Sequence, residues 1–266
     1  MEWREASGVS WLEASLPGAT AAFSTRAGGV SESPFDSLNL GVFTEDERDA
    51  VVENRLRLAA ALGFEPGRIA IGRQVHGAEL MVHGGPQGPP SPFAEPGSAV
   101  PEVDGHVTAD TSTALLVFAA DCLPIALSGP GGVAMLHCGW RGLAAGIVPR
   151  GVMAVGATDA AIGPGIGPCC YEVGEEVLDA FGDLEPEATG RKPLHAKSSM
   201  PVGTVSRRAL DLPEVARRLL REAGVERVES SGLCTSCEAG LFFSHRRDAG
   251  RTGRQAGLVW RHGKAG

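Results

Sequence analysis

The sequence lacks any run of about 18 apolar residues, the minimum for a membrane-spanning helix, so none is expected. It is short of aromatics, at 5% with a single tyrosine. It has no excess of positive charge. The formal net charge of −8 argues against a general nucleic-acid or membrane binder, although a local basic patch could still hold phosphate. The opening Met1-Glu2-Trp3-Arg4-Glu5 lacks the basic-then-apolar pattern of a secretion signal. Without such a signal, the six cysteines read as reduced thiols or metal ligands rather than a disulfide frame. The cytoplasm is therefore the expected location. No internal repeat is present, no Walker or dinucleotide-binding fingerprint has its strand–helix context, and no obligate protein partner is evident.

What the chain does have is a mixture of strand-length apolar runs and helix signals. Ala21–Phe23, Ile69–Ile71, Leu115–Ala119, Val133–Leu136, Ala160–Ile162 and Leu258–Trp260 read as strands. Thr44 and Glu47 form a capping-box pattern that opens a helix ending at Gly63. A second helix starts near Asp211, tolerates Pro213 in its first turn and stops at Gly224. A third covers Val173 to Phe181, and Leu143 to Val155 is helical with an interruption at Pro149. Strands and helices mix without strict alternation, which predicts an α/β or α+β fold with a mixed sheet, in one domain over residues 1–266. The Gly/Pro-dense stretch His83 to Val103 reads as a long loop of the kind that covers sites. Asp183 to Ser199 reads as a second loop.

Three short motifs supply chemistry: Gln74-Val75-His76-Gly77, Ala120-Asp121-Cys122-Leu123-Pro124 and His137-Cys138-Gly139-Trp140-Arg141-Gly142. One thiolate and two imidazoles match a catalytic zinc, whose three protein ligands leave a position open. His76, Cys122 and His137 all fall at strand ends, where side chains converge on clefts. Taken singly, each is equally a buried or merely exposed residue, and the spacing alone carries little weight. Asp121 either orients or deprotonates a neighbour, or caps a turn. Cys234-Thr235-Ser236-Cys237 is a C-x-x-C pair of the kind that binds zinc or acts as a redox couple; with no second such pair to complete a four-cysteine site, the structural or incidental reading is preferred. Cys169 and Cys170, being adjacent, are expected to diverge, and Cys138 points away from His137 on a strand. Arg26, in a Gly-rich turn, and the basic stretch around Arg247 offer forks suited to phosphate or carboxylate, or else plain surface charge.

The order of segments is more specific than any one of them. S-T-R-x-G-G-V-S, F-D-S-L-N-L-G, Q-V-H-G, D-G-x-V-T, A-D-C-x-P, H-x-G-W-R-G, G-P-G-I-G-P-C-C-Y-E-V, F-F-S-H-R-R-D and T-G-R follow one another from about Ser24 to Trp260. This resembles the YfiH-like, or laccase-domain, family, also labelled polyphenol oxidases. The resemblance implies a single α/β domain with β-sheets packed between helices. It places the family's metal triad on His76, Cys122 and His137. It also implies phosphorolysis of purine nucleosides (adenosine, inosine, methylthioadenosine) and adenosine deamination. Cys138 and His106 stand where the family pattern often has alanine and leucine.

On this reading the centre binds Zn²⁺, or Cu²⁺ loaded opportunistically, because copper outcompetes zinc for most nitrogen and sulfur ligands. The substrates are a purine nucleoside and phosphate. Arg26, Asn39, Arg141 and Arg247 are the expected substrate contacts. His76, Cys122, His137 and Asp121 are the catalytic set. Two alternatives stand beside it. One is a cysteine hydrolase editing peptidoglycan precursors, with Cys122 as nucleophile and His137 as base. The other is the copper-dependent polyphenol oxidoreductase of older labels. With seven histidines and no H-x-H pair, a four-copper centre is not expected.

Overall fold

A computed structural model describes residues 1–84, 90–181 and 209–263. The expected loop Asp183 to Ser199 lies outside the described residues. Twelve strands and five α-helices are described. In chain order they are β1 (Glu2–Ala6), β2 (Val9–Leu16), β3 (Ala19–Ser24), α1 (Arg48–Leu62), β4 (Ile69–Ala70), β5 (Leu80–His83), β6 (Gly105–Thr108), β7 (Ala114–Ala119), β8 (Leu123–Gly129), β9 (Gly132–Cys138), α2 (Trp140–Ala144), α3 (Ile147–Val155), β10 (Asp159–Ile162), α4 (Glu175–Asp179), α5 (Leu212–Glu222), β11 (Arg227–Ser230) and β12 (Gln255–Arg261).

The strands form two six-stranded mixed sheets, ordered β1-β2-β3-β12-β7-β4 and β11-β10-β8-β9-β6-β5. Side-chain alternation explains how they stack. In β7, Leu115 and Val117 join Ala126, Val133 and Met135 of the other sheet in one cluster, while Ala114 and Leu116 join Leu58 and Ala59 of α1 in another. In β9, Ala134, Leu136 and Cys138 point the opposite way, onto Ile147, Val148 and Val152 of α3 and Val215 and Leu220 of α5. The layers are therefore helix, sheet, sheet, helices, as the mixed α/β expectation had it. Cys138 does point away from His137's face, into this helix-covered core. Among the described residues, no helix is long and apolar enough to cross a membrane.

The helix signals hold in part. Asp211 caps α5 by accepting from the Glu214 amide at 3.0 Å, and the chain leaves the helix at Gly224 with φ 93°. Gly63 ends α1 in the left-handed conformation. The capping box before α1 does not form. Glu47 itself is the N-cap, and the Thr44 hydroxyl turns back to the Gly41 carbonyl at 2.9 Å. The interruption expected at Pro149 falls earlier, at Gly146 (φ 83°), so Pro149 sits in the first turn of α3 where its missing N–H costs nothing. The inward face of α1 carries Val51, Asn54, Arg55, Leu58 and Ala59 at helical spacing. Its two polar members are satisfied. Asn54 donates to the Asn39 carbonyl, and Arg55 donates to the carbonyls of Leu40 and Phe93.

Candidate active site

Strand register builds the site. In the second sheet, β6 and β9 are antiparallel with Gly105 opposite Leu136, which sets Asp104 opposite His137. On the other side of β9, β8 runs antiparallel with Leu123 opposite Cys138 and Pro124 opposite His137. Cys122 therefore lies diagonally across from His137 on the same face. One row of strand ends thus carries Asp104, His137 and Cys122.

His76 arrives from the segment after β4, and two devices fix it. The Gln74 side chain donates to the Phe118 carbonyl and accepts from the Phe118 amide, both at 2.7 Å, so it mimics a strand partner at the end of β7. The Asp104 carboxylate then accepts from three successive amides, Val75 at 3.1 Å, His76 at 2.9 Å and Gly77 at 2.7 Å. His76 sits at φ 62° and Asp121 at φ 96°, backbone conformations that L-residues adopt rarely and that concentrate at functional sites.

The ligand atoms of His76, Cys122 and His137 all lie within 4.8 Å of one another. The two imidazoles meet edge to face with centroids 4.9 Å apart. His137 is buried and His76 exposed, so the group opens on the His76 side. Asp104 Oδ1 lies 2.8 Å from His137 Nδ1. Burial works against the Asp104 carboxylate, but the His137 hydrogen bond and the loop amides outweigh it and hold its pKa below the ordinary value. An ionised carboxylate can only accept, so Nδ1 carries the proton. Burial also opposes charge on Cys122 and His137. Their mutual attraction wins, pulling the thiol down to about 6 and the imidazole up to about 9.

These residues fit a metal ion. The donor set is two imidazoles and a readily ionised thiol, and a carboxylate fixes one ligand's tautomer as is usual around metal-bound histidine. The cradle is tight. A Cβ at Gly139 would lie 2.9 Å from Cys122 Sγ and 3.3 Å from His76 Cδ2.

The triad floors a cleft of about 490 Å³. Its lining includes the apolar Ile71 and Phe118 as well as Tyr171, Arg141, Arg246 and Arg254. Pro92, Glu95 and Ser98, from the Gly/Pro-dense stretch expected to cover a site, are among its lining residues.

Of the expected substrate contacts, Arg141 lines the cleft, its guanidinium 4.4 Å from the Trp140 ring. Arg247 does not. Its fork is taken by Asp248, with N–O distances of 2.8 Å, and by the carbonyls of Thr235 and Phe242. The neighbouring Arg246 faces the cleft instead. Arg26 is engaged by the Asp36 and Ala239 carbonyls and stacks on Phe243 at 4.5 Å, away from the cleft. Asn39 is fully buried and supports the site from behind, accepting from the amides of Gly41 and Arg254. Asp121 reaches the cleft, but its carboxylate oxygens accept from Thr235 Oγ1 and the Arg246 amide, both at 2.7 Å. Of the roles expected for it, these contacts match that of orienting its neighbours. Asp104 went unnoticed in the sequence, although it opens the D-G-x-V-T segment.

Comparison with known proteins places the chain in a family. A family profile described as multi-copper polyphenol oxidoreductase laccase matches residues 20–262. The chain belongs to this family. It is 40% identical to purine nucleoside phosphorylase YlmD of Geobacillus stearothermophilus, over 94% of both chains. It is 36% identical to purine nucleoside phosphorylase YfiH of Escherichia coli, over 91% of this chain and 94% of that one. The crystal structure of G. stearothermophilus YlmD superposes with a TM-score of 0.82 at 39% identity, covering 98% of each chain. That of Bacillus licheniformis YfiH gives 0.82 at 32% identity, covering 97% of this chain and 98% of the other. Among the described residues, two groups of three or more potential metal ligands occur, the triad and a cluster of four cysteines.

Proposed function

We propose that this cleft catalyses phosphorolysis of purine nucleosides, with zinc held by His76, Cys122 and His137. The observation that carries the reading is the triad in a cleft lined by both apolar side chains and arginines, in a chain 36–40% identical to relatives named purine nucleoside phosphorylases. The cleft volume suits a nucleoside. Ile71 and Phe118 offer a surface for the flat purine. Arg141 and Arg246 offer charge for phosphate, and their forks match its oxygens.

In the reaction, a phosphate oxygen forms a bond to the ribose anomeric carbon as the bond from that carbon to the purine nitrogen breaks. The purine leaves with the electron pair and gains a proton. Tyr171 lies on the cleft wall. Burial, reinforced by the nearby Cys122 thiolate, pushes its phenol up to about 12, so it remains a hydrogen-bond donor at neutral pH. When bound, zinc would supply a Lewis acid for oxygen atoms of the reactants. Asp104 holds His137 in the tautomer that presents Nε2. Adenosine, inosine and methylthioadenosine are the candidate substrates, and deamination of adenosine by water is the second activity this centre fits. The cytoplasm is the proposed location.

The test is product analysis with purified, metal-quantified enzyme and adenosine, with and without phosphate. Adenine and ribose 1-phosphate should appear only with phosphate, and inosine in either case if deamination also occurs. Absence of both products from zinc-loaded enzyme overturns the proposal. One observation favours a second reading: Cys122, His137 and Asp104 also form a thiolate–imidazole–carboxylate row, the order used by cysteine nucleophiles. A substrate-derived adduct on Cys122, seen by intact-protein mass spectrometry during turnover, would select that reading.

A further inference from the structure

Cys169 and Cys170 sit in the turn that follows Gly165-Ile166-Gly167-Pro168, and Cys234 and Cys237 lie after β11. Adjacent side chains diverge on a strand, but these two lie in a turn, where they converge. All four sulfurs lie within 4.8 Å of one another, with Cys237 Sγ 3.4 Å from Cys169 Sγ and 3.5 Å from Cys170 Sγ. None is in a disulfide. Four thiolates about 2.3 Å from one tetrahedral ion would stand about 3.8 Å apart, inside the observed spread.

The backbone arranges this without help from the sulfurs. The amides of Cys237 and Glu238 both donate to the Cys234 carbonyl, closing the C-x-x-C turn, at 3.1 and 3.0 Å. The amides of Cys170 and Tyr171 donate to the Gly167 carbonyl, closing the other turn. The Thr235 amide donates to the Gly165 carbonyl at 3.0 Å and locks the two turns together. The Gly167 amide donates to Cys234 Sγ at 3.3 Å, a contact that steadies a thiolate.

We propose that Cys169, Cys170, Cys234 and Cys237 hold a second zinc ion, structural and closed to substrate. Four thiolates complete the tetrahedron and leave no open position. A cluster of two or more irons would need room between its thiolates for the metals and sulfides, so sulfurs this close select a single ion. The ion would clamp the wall of the cleft. The first turn carries Ile166 and Tyr171 into the lining, and the second segment carries Thr235 to Asp121 and Arg246 into the same lining. Arg246 in turn lies over the Tyr171 ring at 5.3 Å and donates to the Glu172 carbonyl.

Metal counting by elemental analysis, on full-length protein purified under reducing conditions, tests this separately from the catalytic reading. The wild type should carry two zinc ions per chain. Cys169→Ser with Cys237→Ser should carry one, as should His76→Ala with His137→Ala. A wild type with one ion that the triad variant abolishes overturns the proposal and leaves the proposed function standing. Alkylation of the wild type settles the case if the cysteine variant does not fold. Iodoacetamide should spare these four thiols until a chelator is added and then label them together, as read by peptide mass spectrometry. Immediate labelling of exposed Cys169 and Cys237 in the zinc-loaded protein, or a disulfide among the four, would overturn it.

Discussion

Asp104 Oδ1 accepts a 2.8 Å hydrogen bond from His137 Nδ1, and the same carboxylate gathers the three amides of the loop that carries His76. One side chain therefore sets the tautomer of one ligand and the position of another. Asp104→Asn keeps the shape but loses the charge and places an amide where one of these donors now binds. Zinc affinity at the triad should fall 10- to 100-fold, the usual effect of removing such a partner, with catalysis falling in parallel. Competition against a zinc-binding dye, read beside circular dichroism, checks this. Unchanged affinity in a folded variant would detach Asp104 from the centre.

Gly139 makes a different point, because its backbone is ordinary (φ −81°, ψ 171°) and any residue could adopt it. Only space forbids a side chain there, since a Cβ would press on Cys122 Sγ and His76 Cδ2. Gly139→Ala should therefore cost the metal site heavily while lowering global stability by only about 1 kcal/mol, the order of a poorer helix N-cap. Metal content measured beside the urea midpoint separates the two effects. Metal content at the wild-type level would show that the cradle yields.

How much of this was legible in the sequence follows from what each signal depends on. Val133–Leu136 and Leu115–Ala119 are buried on both faces and read as apolar runs, so their strands were visible. β1 is exposed almost throughout, and β8 hides its start behind Pro124, so neither announced itself. His76, Cys122 and His137 were candidates because residue type suggested ligands and the order of motifs resembled a family, and the structure brings their ligand atoms together. Asp104 was not, because its role exists only once β6 and β9 pair in register. The four cysteines were read apart because turn closure, which spacing does not encode, is what turns their side chains inward. Arg247 was chosen where Arg246 lines the cleft, because which way a single turn faces is not written in the sequence.

His106 gives the chain a pH dependence with a worked sign. It is fully buried with Nε2 lacking a hydrogen-bond partner, while its Nδ1 lies 2.9 Å from His83 Nε2. Burial, with His83 adding to it against the opposing pull of Asp104, depresses its pKa to about 3. The folded state thus excludes a proton that the unfolded chain binds below its ordinary value near 6.5. Stability is full above about pH 6.5 and should fall by about 1.4 kcal/mol per pH unit between there and about pH 3. His83, also lowered by burial, acts in the same direction. His106→Leu should flatten this limb. Urea midpoints from pH 7 to pH 4 measure it, and parallel profiles for variant and wild type would contradict the assignment.

The last prediction separates two adjacent arginines. Arg246 lines the cleft and spends one guanidinium nitrogen on the Glu172 carbonyl, whereas Arg247 is committed to Asp248 and two backbone carbonyls. Asp248 responds: burial works against its charge, but the Arg247 fork outweighs that and holds its pKa below the ordinary value. Arg246→Ala should raise the KM for phosphate at least tenfold, the order lost with one charge-assisted hydrogen bond, with little change in unfolding. Arg141→Ala, in the same cleft lining, should act likewise. Arg247→Ala should instead destabilise the fold by about 1 to 3 kcal/mol, because two carbonyls and a carboxylate lose their partner, and leave the phosphate KM near the wild-type value. Steady-state kinetics at varied phosphate, paired with denaturant melts of all three variants, decides the matter. A phosphate KM that moves with Arg247 and not with Arg246 or Arg141 would place the anion on the other side of this turn.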